Sequence, residues 1–454
     1  MKMAIKVAFY KIKSGKIPEI KKFSENYELL FAFAYIKSYI DKYLPGVAEF
    51  EIINDINELE SDKFDIIGFS SYTDCFNEVE ELAKSAKEIN PKIFTIVGSY
   101  HISALPHTLP PSVDCGVIGE GEETFKELLE VMAGEKSRPF PTDNLKKING
   151  LIFREKGNLV ITPNRDPIEP LDKIPPPDRN IINLSPSSLI KESIASSRGC
   201  PYNCKFCAGN VLWGCVKYRY FGANYIISEI ESILNSSPKI THIPILDSLF
   251  ITNKARLYEI VKAIENRRIN KKVMFSVSLR PDNINHEICK ILDKMNVRLI
   301  NMGIESASLK ILNIMNKQSN PRINQSALDM IYKYNISSNC TFILGTPGET
   351  LEDIYKTFDF ILTNKTKISN IGISVLTPFP GTYYWEMAKE KGLVNDYMDF
   401  GKLSEIAAPN MPLVCNVDKW RKFREGYAVY LNNENVEESK FYDLLEQFFK
   451  ELTP

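Results

Sequence analysis

Short apolar runs alternate with amphipathic stretches over about the first 135 residues. The apolar runs contain few polar residues, as in strands that are buried on both faces of a parallel sheet. The stretches between them repeat apolar residues every three or four positions, which is the spacing of an amphipathic helix. This alternation predicts an α/β fold with a doubly wound parallel sheet. The predicted strands cover residues 5–10, 49–53, 64–69, 93–97 and 115–118, and the predicted helices cover 28–43, 75–89 and 122–133.

A β-hairpin and an extended connector follow this first domain, which we place at 1–140. Residues 148–163 are typical of two short strands that turn at Lys156, Gly157 and Asn158. The run Ile174-Pro-Pro-Pro-Asp-Arg179 indicates an inter-domain linker, because consecutive prolines keep the chain extended. We assign both features to a connecting region at 141–190.

A second alternation of strands and helices begins beyond the linker. Six strand–helix units predict a partial (β/α)6 barrel of the TIM type at 191–395, with its site at the carboxyl ends of the strands. The last residues, 396–454, carry aromatic side chains in amphipathic runs and predict a helical cap. The predicted barrel strands cover 193–198, 242–247, 273–280, 298–305, 340–345 and 371–376.

Composition excludes several classes of protein. The chain of 454 residues is 44% hydrophobic and 25% charged, with a net charge of −1, so no global field attracts nucleic acid or a membrane surface. No apolar run approaches the ~18 residues of a membrane span. Nine cysteines, three of them clustered, favour metal chemistry in a reducing compartment over disulfides. We therefore expect a cytoplasmic protein with no membrane span and no nucleic-acid partner.

The clustered cysteines are Cys200, Cys204 and Cys207, spaced as Cys-x3-Cys-x2-Cys. Iron–sulfur clusters normally take four cysteine ligands, so three thiolates leave one iron open to a non-protein ligand. The alternatives are a structural zinc site or three free thiols. Zinc would require a fourth ligand at a matched spacing, for which Cys215 is the only nearby candidate.

Polar residues and glycines also stand at the ends of the later predicted strands. Each has an ordinary structural explanation by itself: glycines permit positive φ in strand-to-helix turns, and a carboxylate and a guanidinium can form a buried ion pair. The positions concerned are Asp247, Ser278, Arg280, Glu305, Ser306 and Gly345.

In the order and spacing of these motifs, residues 193–385 resemble the radical S-adenosylmethionine (radical SAM) enzymes. Three of the motifs are similar to those of the cobalamin-associated branch: Gly-Ile-Glu-Ser, Gly-Thr-Pro-Gly-Glu-Thr and Thr-Pro-Phe-Pro-Gly-Thr. The resemblance implies that Cys200, Cys204 and Cys207 hold a 4Fe–4S cluster whose open iron binds S-adenosylmethionine (SAM). It implies further that Phe206 lies beside the adenine of the nucleotide, which the backbone around Gly345 also approaches. Glu305 and Ser306 would contact the amino or ribose groups. Arg280 and Ser278 would lie near the carboxylate and the ribose. Asp247 is a further candidate, although relatives often carry Asp-Asp where this chain has Asp-Ser.

The first domain resembles the cobalamin-binding module that precedes many radical SAM barrels. The matching pieces are Asp65-Ile-Ile-Gly68-Phe-Ser, Val97-Gly-Ser-Tyr-His101 and Gly119-Glu-Gly-Glu122. Two departures are a Gly98-Ser99 pair in place of Gly-Gly and the lack of an Asp-x-His-x-x-Gly motif, so a scaffold that has lost the corrinoid is the alternative. The histidines His101 and His107 could also simply cap backbone groups. The resemblance implies cobalamin contacts from Ser70, Ser71, Tyr72, Gly98, Ser99, Tyr100, His101, Gly119, Glu120 and Gly121.

The resemblance as a whole implies a cobalamin-dependent radical SAM methyltransferase. It would use a 5′-deoxyadenosyl radical and methylcobalamin to methylate an unactivated carbon or phosphorus of a small molecule or peptide. An external one-electron reductant of the flavodoxin or ferredoxin type would supply the electron. The same architecture supports cyclisation, rearrangement or oxidation without methyl transfer. A methylthiotransferase is disfavoured because only Cys75 and Cys115 precede the barrel, and a non-enzymatic cofactor carrier is disfavoured by the complete set of nucleotide motifs.

Overall fold

The computed structural model describes residues 4–10, 12, 27–60, 63–134, 142–182, 191–213 and 218–403, together with 443, 446 and 447. The chain divides into two compact units. The first unit comprises residues 1–191, 208–219 and 379–403, and the second comprises 192–207, 220–378 and 404–454. The polypeptide therefore returns twice to the first unit after entering the second, which no sequence pattern predicted.

A seven-stranded sheet forms the centre of the first unit. Its order is β2-β1-β3-β4-β5-β6-β7, in which β1 to β5 are parallel and β6 and β7 continue as an antiparallel hairpin. The five parallel strands and the hairpin confirm the sequence predictions. The strands are β1 (Ile5–Tyr10), β2 (Ala48–Ile53), β3 (Ile66–Ser70), β4 (Phe94–Gly98), β5 (Cys115–Val117), β6 (Leu151–Glu155) and β7 (Asn158–Ile161), and the helices are α1 (Tyr27–Tyr43), α2 (Phe76–Ile89), α3 (Tyr100–Ala104), α4 (Glu122–Gly134) and α5 (Thr142–Leu145).

The apolar runs of β1, β3, β4 and β5 are largely buried, as their composition predicts, whereas in the edge strand β2 only Ile53 is buried. All five residues of β3 are buried, and Phe9 on β1 stacks on Phe33 of α1 with 4.3 Å between ring centroids. Gly116 on β5 is required by packing, because a Cβ there would lie 2.7 Å from Ile152 and 2.8 Å from Ile102. This close packing fixes the carboxyl ends of β3, β4 and β5, where the predicted cofactor residues lie.

The second unit contains a five-stranded parallel sheet in sequential order, β10-β11-β12-β13-β14. This parallel half-barrel confirms the predicted class of fold. The short strands β8 (Ser197–Arg198) and β9 (Arg219–Tyr220) precede β10 (His242–Pro244), β11 (Met274–Leu279), β12 (Val297–Glu305), β13 (Ser337–Leu344) and β14 (Asn370–Val375), and the helices are α6 (Ala223–Ser236), α7 (Lys254–Asn266), α8 (His286–Met295), α9 (Leu309–Ile314), α10 (Pro321–Lys333) and α11 (Leu351–Thr363).

The first predicted barrel strand, 193–198, is the main correction to the fold. Beside β10 it forms only an isolated parallel bridge between Ile194 and Ile245. The backbone N–H groups of Ser196 and Ser197 donate to the carboxylate of Asp247 instead of to a neighbouring strand. A side chain therefore replaces the ladder where the first barrel strand was predicted.

The last stretch of the first unit contains the helix α12 (Tyr383–Glu390). Most of the predicted helical cap, together with Cys215, lies outside the described residues, although residues 443, 446 and 447 are helical. Among the described residues, no helix combines the length and apolar character needed to cross a bilayer.

Candidate functional site

The three clustered cysteines share one loop in the second unit. Cys200 and Cys204 are partly buried and Cys207 is exposed. The loop is braced from the end of α9, since Lys205 N–H donates to Met315 O at 3.0 Å and Asn316 Nδ2 donates to Asn203 O at 2.8 Å. Within the described part of the chain, no three Cys, His, Asp or Glu side chains are arranged around a single ion. A cluster spreads its thiolate ligands over several irons, so the donor set of this loop suits a cluster of the predicted kind.

Arg280, at the end of β11, is the cation next to this loop. Its Nη1 donates to Cys204 Sγ at 3.7 Å, and its guanidinium lies 3.6 Å from the centroid of the Tyr202 ring. Nε donates to Asp282 at 2.9 Å, and Nη2 donates to Lys317 O. Burial raises the pKa of the Cys204 thiol, whereas the positive charges of Lys317 and Arg280 act in the opposite direction. The arrangement places positive charge where thiolates would bind iron.

Glu305, the last residue of β12, forms a buried ion pair with Lys317. Lys317 Nζ lies 2.8 Å from Glu305 Oε1, and each side chain is only 7% exposed. Nζ is also 5.8 Å from the centroid of the Phe206 ring. Glu305 has a φ of +63°, at a register shift between β12 and β13. A Cβ at Gly303 would lie 2.2 Å from Glu305 Oε1 and 2.9 Å from Lys317 Nζ, so a larger residue there would displace this ion pair.

Lys317 is the residue to which the sequence analysis assigned no role. Its Nζ pairs with Glu305 and lies near the Phe206 ring, and its backbone carbonyl accepts a hydrogen bond from Arg280. Only its position, 12 residues after Glu305, could have drawn attention to it. The structure thus brings Lys317 next to Cys204, Phe206, Arg280 and Glu305, four residues that the sequence predicted to lie at the cluster or the nucleotide.

Asp247 and Ser306 are both engaged by protein groups. Asp247 is buried and accepts hydrogen bonds from Ser196 N–H, the Ser196 hydroxyl and Ser197 N–H; burial raises the pKa of its carboxyl. Ser306 Oγ lies 3.1 Å from Thr357 Oγ1. Ser278 on β11 is half-buried, and its carbonyl accepts from Phe250 N–H.

The turn after β13 is organised by Glu349. Its Oε2 accepts from the backbone N–H groups of Gly345 and Thr346, while buried Oε1 has no hydrogen-bond partner among the described residues. Gly345 has a φ of +88°, a conformation that glycine adopts readily. Burial raises the pKa of Glu349 to about 7. An internal carboxylate therefore fixes the backbone that was predicted to approach adenine.

In the first unit, an aromatic pair follows the ends of β3 and β4, with Tyr72 in a loop and Tyr100 at the start of α3. Tyr72 and Tyr100 stack with 5.4 Å between ring centroids, and both are half-buried. Ser70 and Ser71 are buried, and the Ser71 hydroxyl donates to Tyr72 O. Ser99 has φ +90° and ψ −161°, a region that is essentially reserved for glycine. Such strain is maintained only where the surroundings determine it, and it often marks a ligand site.

The loop after β5 is connected to the same region. Gly119 has a φ of +77°, and its N–H donates to Ser103 Oγ at 3.0 Å; Ser103 Oγ in turn donates to Ser99 O at 2.8 Å. Gly98 ends β4, and a Cβ on Gly121 would lie 3.4 Å from Ile36. Glu120 forms a buried ion pair with Arg219.

The two histidines of this unit have side-chain partners. His101 is fully buried, stacks on Phe76 at 3.7 Å between ring centroids, and its Nε2 lies 3.1 Å from Thr108 Oγ1. Burial lowers the pKa of His101 to about 3. His107 Nε2 lies 3.0 Å from Asp396 Oδ2. The structure thus gives His101 a packing role in the core, and its contact with cobalamin stays a prediction.

Comparison with known proteins finds two domain families. Residues 194–361 match the Radical SAM superfamily and residues 48–129 match the B12 binding domain. Uncharacterized methyltransferase PH0819 of Pyrococcus horikoshii is 31% identical over 78% of this chain and 76% of that protein. The anaerobic magnesium-protoporphyrin IX monomethyl ester cyclase of Cereibacter sphaeroides is 24% identical to this chain. The aligned region covers 82% of this chain and 60% of the cyclase.

A solved structure shows the same fold. The cobalamin-dependent S-adenosylmethionine radical enzyme OxsB, with aqua-cobalamin and S-adenosylmethionine bound, has a TM-score of 0.71 and 19% identity. The similarity covers 99% of this chain and 72% of that one. The order of a parallel-sheet domain followed by a parallel half-barrel is therefore shared.

Proposed function

Since the chain belongs to the B12-binding radical SAM family, we propose that it is a cobalamin-dependent methyltransferase. The family membership establishes a radical SAM enzyme with a 4Fe–4S cluster, SAM and a cobalamin-binding domain. The proposal goes further: the enzyme uses a 5′-deoxyadenosyl radical and methylcobalamin to methylate an unactivated carbon, or phosphorus, of a small molecule or peptide. The main support for this proposal is the 31% identity, over most of both chains, to the protein named uncharacterized methyltransferase PH0819.

Three cysteines and a set of strand-end residues would hold the cluster and the nucleotide. When bound, the cluster supplies the electron that cleaves SAM, and cobalamin carries the methyl group. Cys200, Cys204 and Cys207 are the cluster ligands in this proposal. Arg280 and Lys317 supply positive charge for the nucleotide carboxylate, as charge-assisted hydrogen bonds require. The remaining proposed nucleotide contacts are Phe206, Ser278, Glu305, Ser306 and the backbone at Gly345.

Asp247 has a different role in this proposal from the one predicted by sequence. Its carboxylate accepts hydrogen bonds from Ser196 and Ser197, four and three residues before Cys200. We therefore propose that Asp247 positions the entry to the cysteine loop.

The stacked tyrosines and the glycine-like backbone at Ser99 support cobalamin binding at the strand ends of the first unit. Parallel α/β sheets bind ligands outside the carboxyl ends of their strands. Tyr72 and Tyr100 offer an aromatic surface, and Ser70, Ser71, Gly98, Ser99, Gly119 and Gly121 would approach the corrin or its nucleotide tail through polar groups or backbone.

An external flavodoxin- or ferredoxin-type reductant would supply the electron in this proposal. An oxygen-sensitive cluster with free thiols also suits a reducing cytoplasm.

A radical cyclase or oxidase is the second candidate, because a cyclase is similar over 82% of this chain. The two outcomes differ in the fate of the SAM methyl group. The test is anaerobic incubation of the reconstituted enzyme with cobalamin, a low-potential reductant and SAM bearing a trideuterated methyl group, together with an extract of small molecules and peptides. Mass spectrometry should find a labelled product that the Cys204→Ala variant does not form. Formation of 5′-deoxyadenosine with consumption of a compound, but without label in the product, would favour the second candidate.

A further inference from the structure

A buried ion pair in the first unit connects the loop after β5 to the segment that follows the cluster cysteines. Arg219 Nη2 donates to Glu120 Oε1 at 2.9 Å, and Nη1 donates to Oε2 at 3.0 Å. The side chains are 4% and 5% exposed. Two such bonds between a guanidinium and a carboxylate combine geometric specificity with charge-assisted strength.

The same pair holds a third stretch of chain. Ile168 N–H donates to Glu120 Oε2 at 2.9 Å, and Arg219 Nη1 donates to Ile168 O at 2.8 Å. The Arg219 guanidinium lies 5.9 Å from the centroid of the Trp213 ring. A Cβ on Gly119 would lie 3.4 Å from Leu212 O, so the backbone before Trp213 passes beside the loop. The ion pair is thus the centre of three packed segments.

The course of the chain gives this contact its significance. Residues 192–207 belong to the second unit, and residues 208–219, which follow Cys207 directly, belong to the first. On its other side, the loop at Gly119 is hydrogen-bonded through Ser103 to Ser99, in the loop proposed to take cobalamin. The loop after β5 is thus bonded on one side to Ser99 and on the other, through Glu120, to Arg219, which stands 12 residues after Cys207 in the chain.

We infer that Glu120 is a positioning residue that couples cobalamin binding to retention of the cluster. By holding Arg219, it fixes the segment after Cys207 to the loops at the strand ends. Its two oxygens accept from Arg219 and Ile168, so this role replaces the direct cofactor contact predicted from the sequence. The inference rests on the proposed function, because it requires cobalamin to bind at these loops. Coupling of binding free energies is reciprocal, so the cluster should strengthen cobalamin binding by the same factor.

The test measures iron loss from the reconstituted full-length enzyme to a colorimetric iron chelator, with and without hydroxocobalamin. In the wild type we expect iron to be lost clearly faster without cobalamin than with it, so that the ratio of the two rates lies well above one. Glu120→Gln removes the charge and should bring this ratio close to one. Arg219→Lys keeps the charge but loses the bidentate geometry, so it should give an intermediate ratio. Glu155→Gln, at a partly exposed ion pair with Lys146 in the same unit, is the matched control and should keep the wild-type ratio.

A second measurement needs no variant and covers the case in which Glu120→Gln fails to fold. In cluster-free wild-type protein, cobalamin should slow amide hydrogen exchange at residues 208–213. Bound cobalamin, seen by absorbance after gel filtration, without such protection would overturn the inference and leave the proposed function intact. If Glu120→Gln keeps the wild-type ratio of iron-loss rates without and with cobalamin, the inference is also overturned and the proposed function is left intact. Failure of the wild type to bind cobalamin at all would overturn both.

Discussion

Replacing Glu349 with glutamine is expected to change how the stability of the protein depends on pH. The side chain is fully buried in the turn after β13, where Oε2 accepts from two backbone N–H groups and Oε1 has no partner among the described residues. Burial raises its pKa from 4.5 to about 7, with a smaller contribution from the negative charge of Asp353. Glutamine has nearly the same shape and keeps an acceptor oxygen, but it does not ionise.

The magnitude follows from the pKa difference. Between pH 4.5 and 7 the folded chain holds a proton on Glu349 that the unfolded chain releases. The stability that this proton contributes is present below pH 4.5 and is lost as the pH rises through 7. A difference of about 2.5 pKa units corresponds to about 3 kcal/mol, at 1.36 kcal/mol per unit. The glutamine variant should gain that amount relative to the wild type between about pH 5 and about pH 8.

The assay is urea unfolding of the wild type and the variant at about pH 5 and about pH 8, monitored by circular dichroism. Comparing the variant with the wild type cancels the titration of all other groups. Glu352→Gln, an exposed carboxylate close by on α11, is the matched control, and its effect should stay below about 0.5 kcal/mol. A stability difference for Glu349→Gln that is the same at both pH values, or that grows as the pH falls, would refute the reasoning.

Three further substitutions test other parts of the structure. Ser99→Gly should raise the unfolding temperature in calorimetry, because it relieves strain of about 1–3 kcal/mol; a lower temperature would contradict the assigned backbone strain. Lys317→Met should destabilise the protein by about 3–5 kcal/mol in denaturant unfolding, because it leaves Glu305 charged and buried, whereas the double variant Glu305→Gln/Lys317→Met should recover most of that loss. No recovery would mean that the two side chains are not coupled. Cys204→Ala should abolish 5′-deoxyadenosine formation, measured by chromatography, and should still bind cobalamin, with its affinity lowered only by the coupling between the two sites; complete loss of both would contradict separate cofactor sites.

Periodicity was sufficient to predict most of the fold. The buried strands β1, β3, β4 and β5 lie where nearly unbroken apolar runs stand in the sequence, because burial on both faces leaves little room for polar residues. The strands β11 to β14 carry polar residues among their apolar ones, and their alternation with amphipathic helices located them. The cysteine spacing and the strand-end motifs also located the candidate site, since barrel chemistry concentrates at the carboxyl ends of strands.

The partners of the polar side chains could not be predicted in this way. Glu120 pairs with Arg219, and Asp247 pairs with Ser196, across 99 and 51 residues of sequence. Such pairs depend on how distant segments pack, and a motif indicates the chemistry of a side chain without its neighbours. The same limit explains the first barrel strand, where the carboxylate of Asp247 takes the backbone N–H groups that a ladder would have used.

The most direct test of the account is electron paramagnetic resonance of the reduced cluster with and without SAM labelled with nitrogen-15 and oxygen-17 in its amino and carboxylate groups. We expect the spectrum to change when SAM is added and to show hyperfine couplings to the labelled nuclei, which would establish that SAM binds at the open iron. A spectrum indifferent to SAM, or zinc in place of iron at Cys200, Cys204 and Cys207, would contradict it.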